Sequence, residues 1–560
     1  MSTGRTLTWR DHLFGLVLCV GYVAILLATS LDLGMSRDEG FYVDAADRYA
    51  AWFELLGDDP DRALEREVID RHWDANHEHP SLVKSAFALS ALADRAWDLF
   101  PARSMAYRFP GMVFAGLLLW LIYVFGARAF GRAEGAFAAL AFAAMPNVFY
   151  HAHLDCFDIP IVTMLTLVTY CYWRSLAEPR WAIVTGLAYG LALETKHNAW
   201  ILPLVFLVHW LAFVLPGELA ARRGGKGKIA SVVPWWLVAM AAIGPVVFVA
   251  LWPWLWHDTA ARFSEYAGFH LNHVHYNNEY FGTTYFGPPG PFSFPWVMTL
   301  FTVSLVTVLL GLAGVALRTR QWLPPWMGRR LLGRDAAGDR QRTASLMFGC
   351  MITPLLVIAM PWTPKFGGTK HFIGGWVFLA LFAGIAFVPV ARALRAVIPE
   401  KLAALRRASL PVAAAALLAP SVVDTVHSHP YGLSFYGFAA GGVPGAADLG
   451  MIRQFWGFTT GSLVPWLNAN VPATGGTVWI CDTVPTAWRM LQEDGLLREN
   501  IRPSWDMASA DYAIVHHEAH FAEVDYQIWM AYGRVDPVYV LTYDGVPIIS
   551  VYQNPRSRRR

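Results

Sequence analysis

Apolar stretches long enough to cross a bilayer recur along the first three quarters of this 560-residue chain, and no other feature limits its fold as strongly. A helix rising 1.5 Å per residue needs roughly 20 apolar residues to span about 30 Å of hydrocarbon. About eleven stretches qualify by their hydropathy, near residues 13–31, 110–130, 134–150, 157–176, 181–195, 199–215, 232–252, 296–317, 346–362, 371–391 and 410–425. Soluble domains carry about 25% charged residues; here 15% are charged, 55% are hydrophobic and 25 are Trp, so the apolar surplus must face lipid. A formal charge of +2 excludes a nucleic-acid binder recognised by bulk basicity. Cys19, Cys156, Cys171, Cys350 and Cys481 lie mostly in apolar runs and form neither a disulfide framework nor a Cys-rich zinc module. The first stretch is longer than a signal-peptide core and no A-x-A site follows, so it is expected to be an uncleaved span.

Short-loop Lys and Arg set orientation, because the positive-inside bias acts there. Arg5, Arg10, Arg128, Arg132, Arg174, Arg180, Arg222, Arg223, Lys226, Lys228, the run from Arg318 to Arg342, and Arg392 to Arg407 mark one side as cytoplasmic. The opposite short connections hold Lys196, Arg262, Lys365 and Lys370, and the long segments 32–109 and 426–560 fall on that outer side. The N-terminus is therefore expected inside and the C-terminus outside. The basic loops themselves read as topology signals rather than binding sites.

Polar groups are expensive beside a bilayer, and nearly all of them gather at the outer face. Ser36-Arg37-Asp38-Glu39 follows the first span and puts two carboxylates at the membrane surface, where partial desolvation suits a general base. The same residues fit a helix N-cap equally. Asn76-His77-Glu78-His79-Pro80 precedes an amphipathic run to Phe100 that is expected to lie along the interface. In the turn after the third span, His151, His153, Asp155 and Asp158 offer N and O ligands to a divalent metal, or else form a polar helix–helix turn capped by Asp158. Lys196, Lys365, Lys370 and His371 stand at span ends, suited to clamp a lipid phosphate or merely to snorkel. The outer loop 253–295, with Tyr276 and Glu279, resembles a sugar-binding surface or an interfacial aromatic belt. Beyond residue 425 the periodicity changes to that of a small soluble α/β unit, with strands at 477–481, 512–515 and 538–552, a turn at Asp544-Gly545 and a helix at 486–497. This unit is expected to be an accessory domain.

The order of these motifs resembles the polytopic GT-C glycosyltransferases, most closely family 39: protein O-mannosyltransferase-like enzymes and bacterial relatives that add aminoarabinose to lipid A. Arg37-Asp38-Glu39, His79-Pro80 and Thr195-Lys196 carry the resemblance most specifically, and His429-Pro430-Tyr431, Gly441-Gly442 and Phe455-Trp456-Gly457 look like the segment after the last span in bacterial members. The His151-Ala152-His153 turn departs from the pattern. The resemblance implies a GT-C-type, α-helical polytopic membrane fold over residues 1–425, with a large first outer loop at 32–109, and a small extracytoplasmic α/β domain at 426–560. It implies an inverting glycosyltransferase taking a sugar from a polyprenyl-phosphate donor to a lipid, protein or glycan acceptor, in a bacterial inner membrane. Asp38 then becomes the base, and Glu39 shapes the acceptor site or shares a metal. Asp155 and Asp158 match the second acidic site. Lys196, Lys365, Lys370 and His371 bind the lipid phosphate, and His79, Tyr276 and Glu279 approach the acceptor or sugar. Rival readings are another polyprenyl-linked glycan enzyme, such as a ligase or polymerase, and a transporter or flippase. No internal repeat supports transport, and the charges gather at one face and not at mid-bilayer.

Overall fold

The computed structural model describes residues 5–224, 232–319 and 337–556. Lys226, Lys228 and much of the Arg318–Arg342 run lie outside the described residues. Each of the eleven apolar stretches coincides with helix. Six helical segments are long and apolar enough to cross a membrane: Trp9–Asp32, Arg103–Ala129, His197–Arg223, Gln341–Ala359, Ile373–Val397 and Ser409–Ser428. Trp181–Leu193, Trp235–Leu251 and Leu305–Arg318 are shorter apolar helices. The protein is an integral, multi-pass membrane protein.

Two stretches are interrupted. Arg132–Ala143 ends before Pro146, which opens Pro146–His151 from its first position, where a missing N–H costs nothing. Phe294–Thr302 and Leu305–Thr319 are separated at Val303, whose backbone is extended. The Phe301 carbonyl beside this break accepts the Gly437 N–H at 2.6 Å, so the interruption leaves no orphan there. Ile373–Val397 is the most deeply buried of the six and packs between Arg132–Ala143 and Leu305–Thr319. Trp9–Thr29 turns Leu13, Val17 and Val20 outward, as lipid requires.

The bundle has two unlike ends. Where Arg103–Ala129 finishes, the Arg5 N–H bonds the Arg128 carbonyl and Arg132 pairs with Asp11. At its start are the amphipathic helix Leu82–Trp97, the helix Arg37–Asp58 and the segment that follows the last apolar helix. Within that segment, Leu433, Tyr436, Ile452, Phe455 and Trp456 join the bundle's own core, whereas the sheet beyond has a separate core built on Val478, Ile501, Ile514 and Ile548. The sheet runs Ile501–Ser504, Gly476–Trp479, Tyr512–His516, Val546–Gln553, Tyr539–Tyr543, the first three strands parallel and the last two antiparallel to their neighbours. Asp544 and Gly545 turn the hairpin with φ of +49° and +77°, as an Asp-Gly pair does. Ile501–Ser504 has no strand signature in the sequence: it carries Pro503, which an edge strand tolerates.

Candidate active site

The helix Arg37–Asp58 begins with Ser36 as cap, and Glu39 closes a capping box by accepting the Ser36 N–H at 2.7 Å. That box sends the two adjacent carboxylates in different directions. Glu39 points inward and is 0% exposed, held by Arg108 Nε at 2.8 Å and by a second guanidinium nitrogen at 3.2 Å. Arg108 spends its other donors on the carbonyls of Ser30, Leu33 and Gly34, so the connection from first span to helix is wrapped around one guanidinium. Burial pushes the Glu39 carboxyl up, but the charge and hydrogen bonds of Arg108 outweigh it and hold it below the usual range. Asp155 lies against this pair; burial first, then the Glu39 charge, raises its carboxyl well above the usual range, so it keeps its proton.

Asp38 points the other way. Its Oδ2 lies 3.2 Å from Lys370 Nζ, and its side chain keeps 19% exposure. The Lys370 ammonium sits 4.1 Å above the Trp456 ring and 4.9 Å from that of Phe366. A second carboxylate–lysine pair is deeper: Asp158, the first residue of Asp158–Ser175, contacts Lys196 Nζ at 2.9 Å and His151 Nδ1 at 3.3 Å. The pairs are neighbours, for Asp158 lies within electrostatic reach of Lys370, and His371 within reach of both lysines and Asp158.

The other expected site residues are distributed around these pairs. Lys365 donates to the carbonyls of Met360 at 2.8 Å and Thr363 at 3.4 Å, capping the end of Ala337–Ala359. His79 packs its ring on Phe157 and Tyr42 and stays neutral, because burial and then Lys196 and Lys84 depress its basicity. Lys84 fixes the His79 loop by donating to the carbonyls of Asn76 and His79, and burial brings this lysine down to about 7. Tyr276 is exposed and packs on Phe366. Glu279 accepts the Ala519 N–H and approaches His520 at 3.6 Å, joining the 253–295 loop to the C-terminal unit rather than standing free for a ligand.

The expected metal set is corrected. His151 and Asp158 do meet, but His153 turns to Thr29 Oγ1 at 2.8 Å and the Phe149 carbonyl at 2.8 Å, while Asp155 faces Glu39 and Arg108. Among the described residues no group of three or more His, Cys, Asp and Glu is arranged to hold a metal ion. The sharing of a metal by Glu39 falls with it, since Arg108 already occupies both of its oxygens.

Arg108, Trp456 and Asp482 were not singled out as site residues by the sequence. Arg108 had one available signal, a charge at the start of an apolar span. Asp482 had none: it lies in the C-terminal unit and contacts Arg37 Nη1 at 2.6 Å across 445 residues of chain.

The model of the dolichyl-phosphate-mannose–protein mannosyltransferase family matches residues 84–254, under a third of the chain, a stretch that holds Asp155, Asp158 and Lys196. No curated protein sequence matches the chain. Among solved structures, ArnT from Cupriavidus metallidurans bound to undecaprenyl phosphate is similar at 15% identity and a TM-score of 0.45, over 96% of this chain and 97% of that one. The oligosaccharyltransferase AglB from Archaeoglobus fulgidus, in complex with an inhibitory peptide and a dolichol-phosphate, is similar at 12% identity and a TM-score of 0.46, over 94% and 71%. The arabinosyltransferase EmbB from Mycobacterium smegmatis reaches 14% and 0.41, over 76% and 42%. Over residues 84–254 this polytopic helical chain is therefore similar to the dolichyl-phosphate-mannose–protein mannosyltransferase family.

Proposed function

We propose that this protein moves a sugar from a polyprenyl-phosphate donor to an acceptor hydroxyl at the outer face of a bacterial inner membrane, with inversion at the anomeric carbon. The N-terminus is cytoplasmic and the C-terminus lies outside. The observation that carries the reading is the pair Asp38–Lys370, partly open to solvent and next to the buried pair Asp158–Lys196. A site that couples proton abstraction to departure of a phosphate needs this combination of groups.

In the proposed reaction Asp38 accepts the proton of the acceptor hydroxyl, and the acceptor oxygen attacks the anomeric carbon opposite the phosphate. The carbon–oxygen bond to phosphate breaks with its electron pair, and polyprenyl phosphate departs. Lys370 and Lys196 neutralise the growing phosphate charge, and His371 adds a hydrogen bond. Lys370 is bonded to Asp38 in this structure, so an arriving phosphate competes for the ammonium. That exchange frees the Asp38 carboxylate to accept from the acceptor hydroxyl. Glu39 acts with Arg108 to fix the start of the helix that bears Asp38 and does not touch the acceptor.

Purified protein in nanodiscs, offered a panel of radiolabelled polyprenyl-phosphate sugars with and without a membrane extract as acceptor source, tests the reading. Label should leave one donor in the presence of extract, and Asp38→Asn should stop it. Near-normal turnover by Asp38→Asn would remove Asp38 as base. Absence of turnover with every donor, in folded protein, would favour transport.

A further inference from the structure

Trp456 has a backbone that a bulky side chain seldom adopts, with φ of +65°, and Gly457 follows at +59°. Such a conformation persists only where its surroundings impose it, and it marks functional positions more often than others. Three features impose it here. The Trp456 carbonyl accepts the Arg37 N–H at 2.8 Å, at the first residue of the helix that carries Asp38. Gly457 passes so close to Asp482, in the bend after the strand Gly476–Trp479, that a Cβ would stand 2.0 Å from the Asp482 carbonyl oxygen. The Asp482 carboxylate, 5% exposed, binds the Arg37 guanidinium at 2.6 Å and faces the Gly457 N–H.

The result of this backbone is the placement of the indole face under the Lys370 ammonium at 4.1 Å, with its edge toward the His151 ring at 6.0 Å. In the loop between Ala337–Ala359 and Ile373–Val397, Gly367 has φ of +62°, and a Cβ there would come within 2.5 Å of Lys370 Cε and 2.9 Å of Trp456 Cζ2. The lysine stem is thereby confined between two backbone turns, with its charge over a ring. An aromatic face attracts an ammonium without neutralising it or accepting its protons, so it holds the cation while leaving its N–H donors free.

We infer that Trp456 is the platform that positions Lys370, and that Asp482, from the C-terminal unit, is a positioning residue acting through it. The C-terminal unit is then part of the reaction machinery rather than an accessory. Its Asp482 fastens the Trp456–Gly457 turn to Arg37, so the base-bearing helix and the phosphate-binding lysine are set by the same carboxylate. An ammonium on a ring can turn from Asp38 to a phosphate without losing its support, which is the movement the proposed reaction asks of it. This inference rests on the reading of Lys370 as a phosphate ligand.

The test is equilibrium binding of undecaprenyl phosphate to the full-length protein in nanodiscs, which needs no knowledge of the sugar. Trp456→Ala should weaken binding by roughly 3- to 10-fold, within the range of a partly desolvated cation–π contact and no more than the loss of Lys370 itself, and Trp456→Phe, which keeps a ring, should stay within about threefold. Asp482→Asn, which is isosteric, should weaken binding in the same direction. Because Asp482 acts through the indole, the double variant should bind no worse than Trp456→Ala alone, whereas a merely structural role would give additive losses. Should Trp456→Ala not fold, Trp456→Leu, which removes the ring and keeps most of the volume, takes its place in the cycle. Wild-type affinity in Trp456→Ala, or additive losses in the double variant, would overturn the inference. Wild-type affinity in Lys370→Ala would instead remove the phosphate reading beneath it; loss there with none in Trp456→Ala would sink the platform alone.

Discussion

The two ends of the bundle use the same kinds of charged residue in opposite ways. At the end rich in arginine, individual guanidinium groups stay in water even where their partner is buried: Arg180 is 81% exposed beside Glu178, and Arg132 is 56% exposed beside a buried Asp11, while Arg174 is the withdrawn exception. At the other end Arg108–Glu39, Lys196–Asp158 and Lys370–Asp38 are largely withdrawn from water. An exposed pair is worth about 0–1 kcal/mol, whereas burying two charges costs several kcal/mol per ion before their attraction repays it. A fold stabilised by packing alone gains little from such pairs, so their concentration at one end marks where the chain keeps charge for chemistry. The basic end asks only for its sign, and therefore tolerates solvent.

That contrast can be broken most severely at Arg108. Arg108→Met strands the Glu39 carboxylate in the core and should destabilise the protein by about 3–5 kcal/mol, read as a fall in melting temperature in detergent. Next in size, Asp38→Asn should lower transfer by about 10²–10⁴-fold, the range of a general base, with an unchanged melting curve because the side chain is partly exposed and keeps its volume. Loss of folding in this variant would instead mark Asp38 as structural. Lys370→Ala should weaken donor binding by about tenfold, close to 1.4 kcal/mol, measured with undecaprenyl phosphate.

A subtler separation uses pH at Asp155. Its folded carboxyl titrates above its unfolded value, so the folded chain holds a proton that the unfolded chain has released. The stability contributed by this group is present at low pH and declines as pH rises from about 4 through the raised folded value. Asp155→Asn cannot ionise, so its melting temperature should fall less than that of the parent between about pH 4 and 8; parallel curves would show that Asp155 is not the titrating group. At the basic end, Arg180→Ala should change stability by less than about 1 kcal/mol, and a larger loss would erase the contrast between the ends.

Much of the fold was legible because hydropathy is a local property. Every apolar stretch became helix, and the hairpin at Asp544-Gly545 was readable from its turn residues. The break at Val303 was not, since no proline or glycine marks it and the carbonyl of Phe301 is met by Gly437 from far along the chain. The candidate site was half legible. Asp38, Asp158, Lys196 and Lys370 stand out as charges at the ends of apolar spans, and they do come together. The adjacent Glu39 looked equivalent to Asp38, yet a helical start separates neighbouring side chains by about 100°, enough to send one to Arg108 and the other to Lys370.

The sequence by itself therefore determined which segments form apolar helices, where the charges gather and which end of the bundle carries the basic loops, because each depends on the residues of one short window. Which carboxylate meets which cation was decided only by the tertiary structure. Lys370 reaches Asp38 across 332 residues, and Asp482 reaches Arg37 across 445. Such pairings depend on how helices and the C-terminal sheet settle against one another, and no local window of sequence contains that geometry.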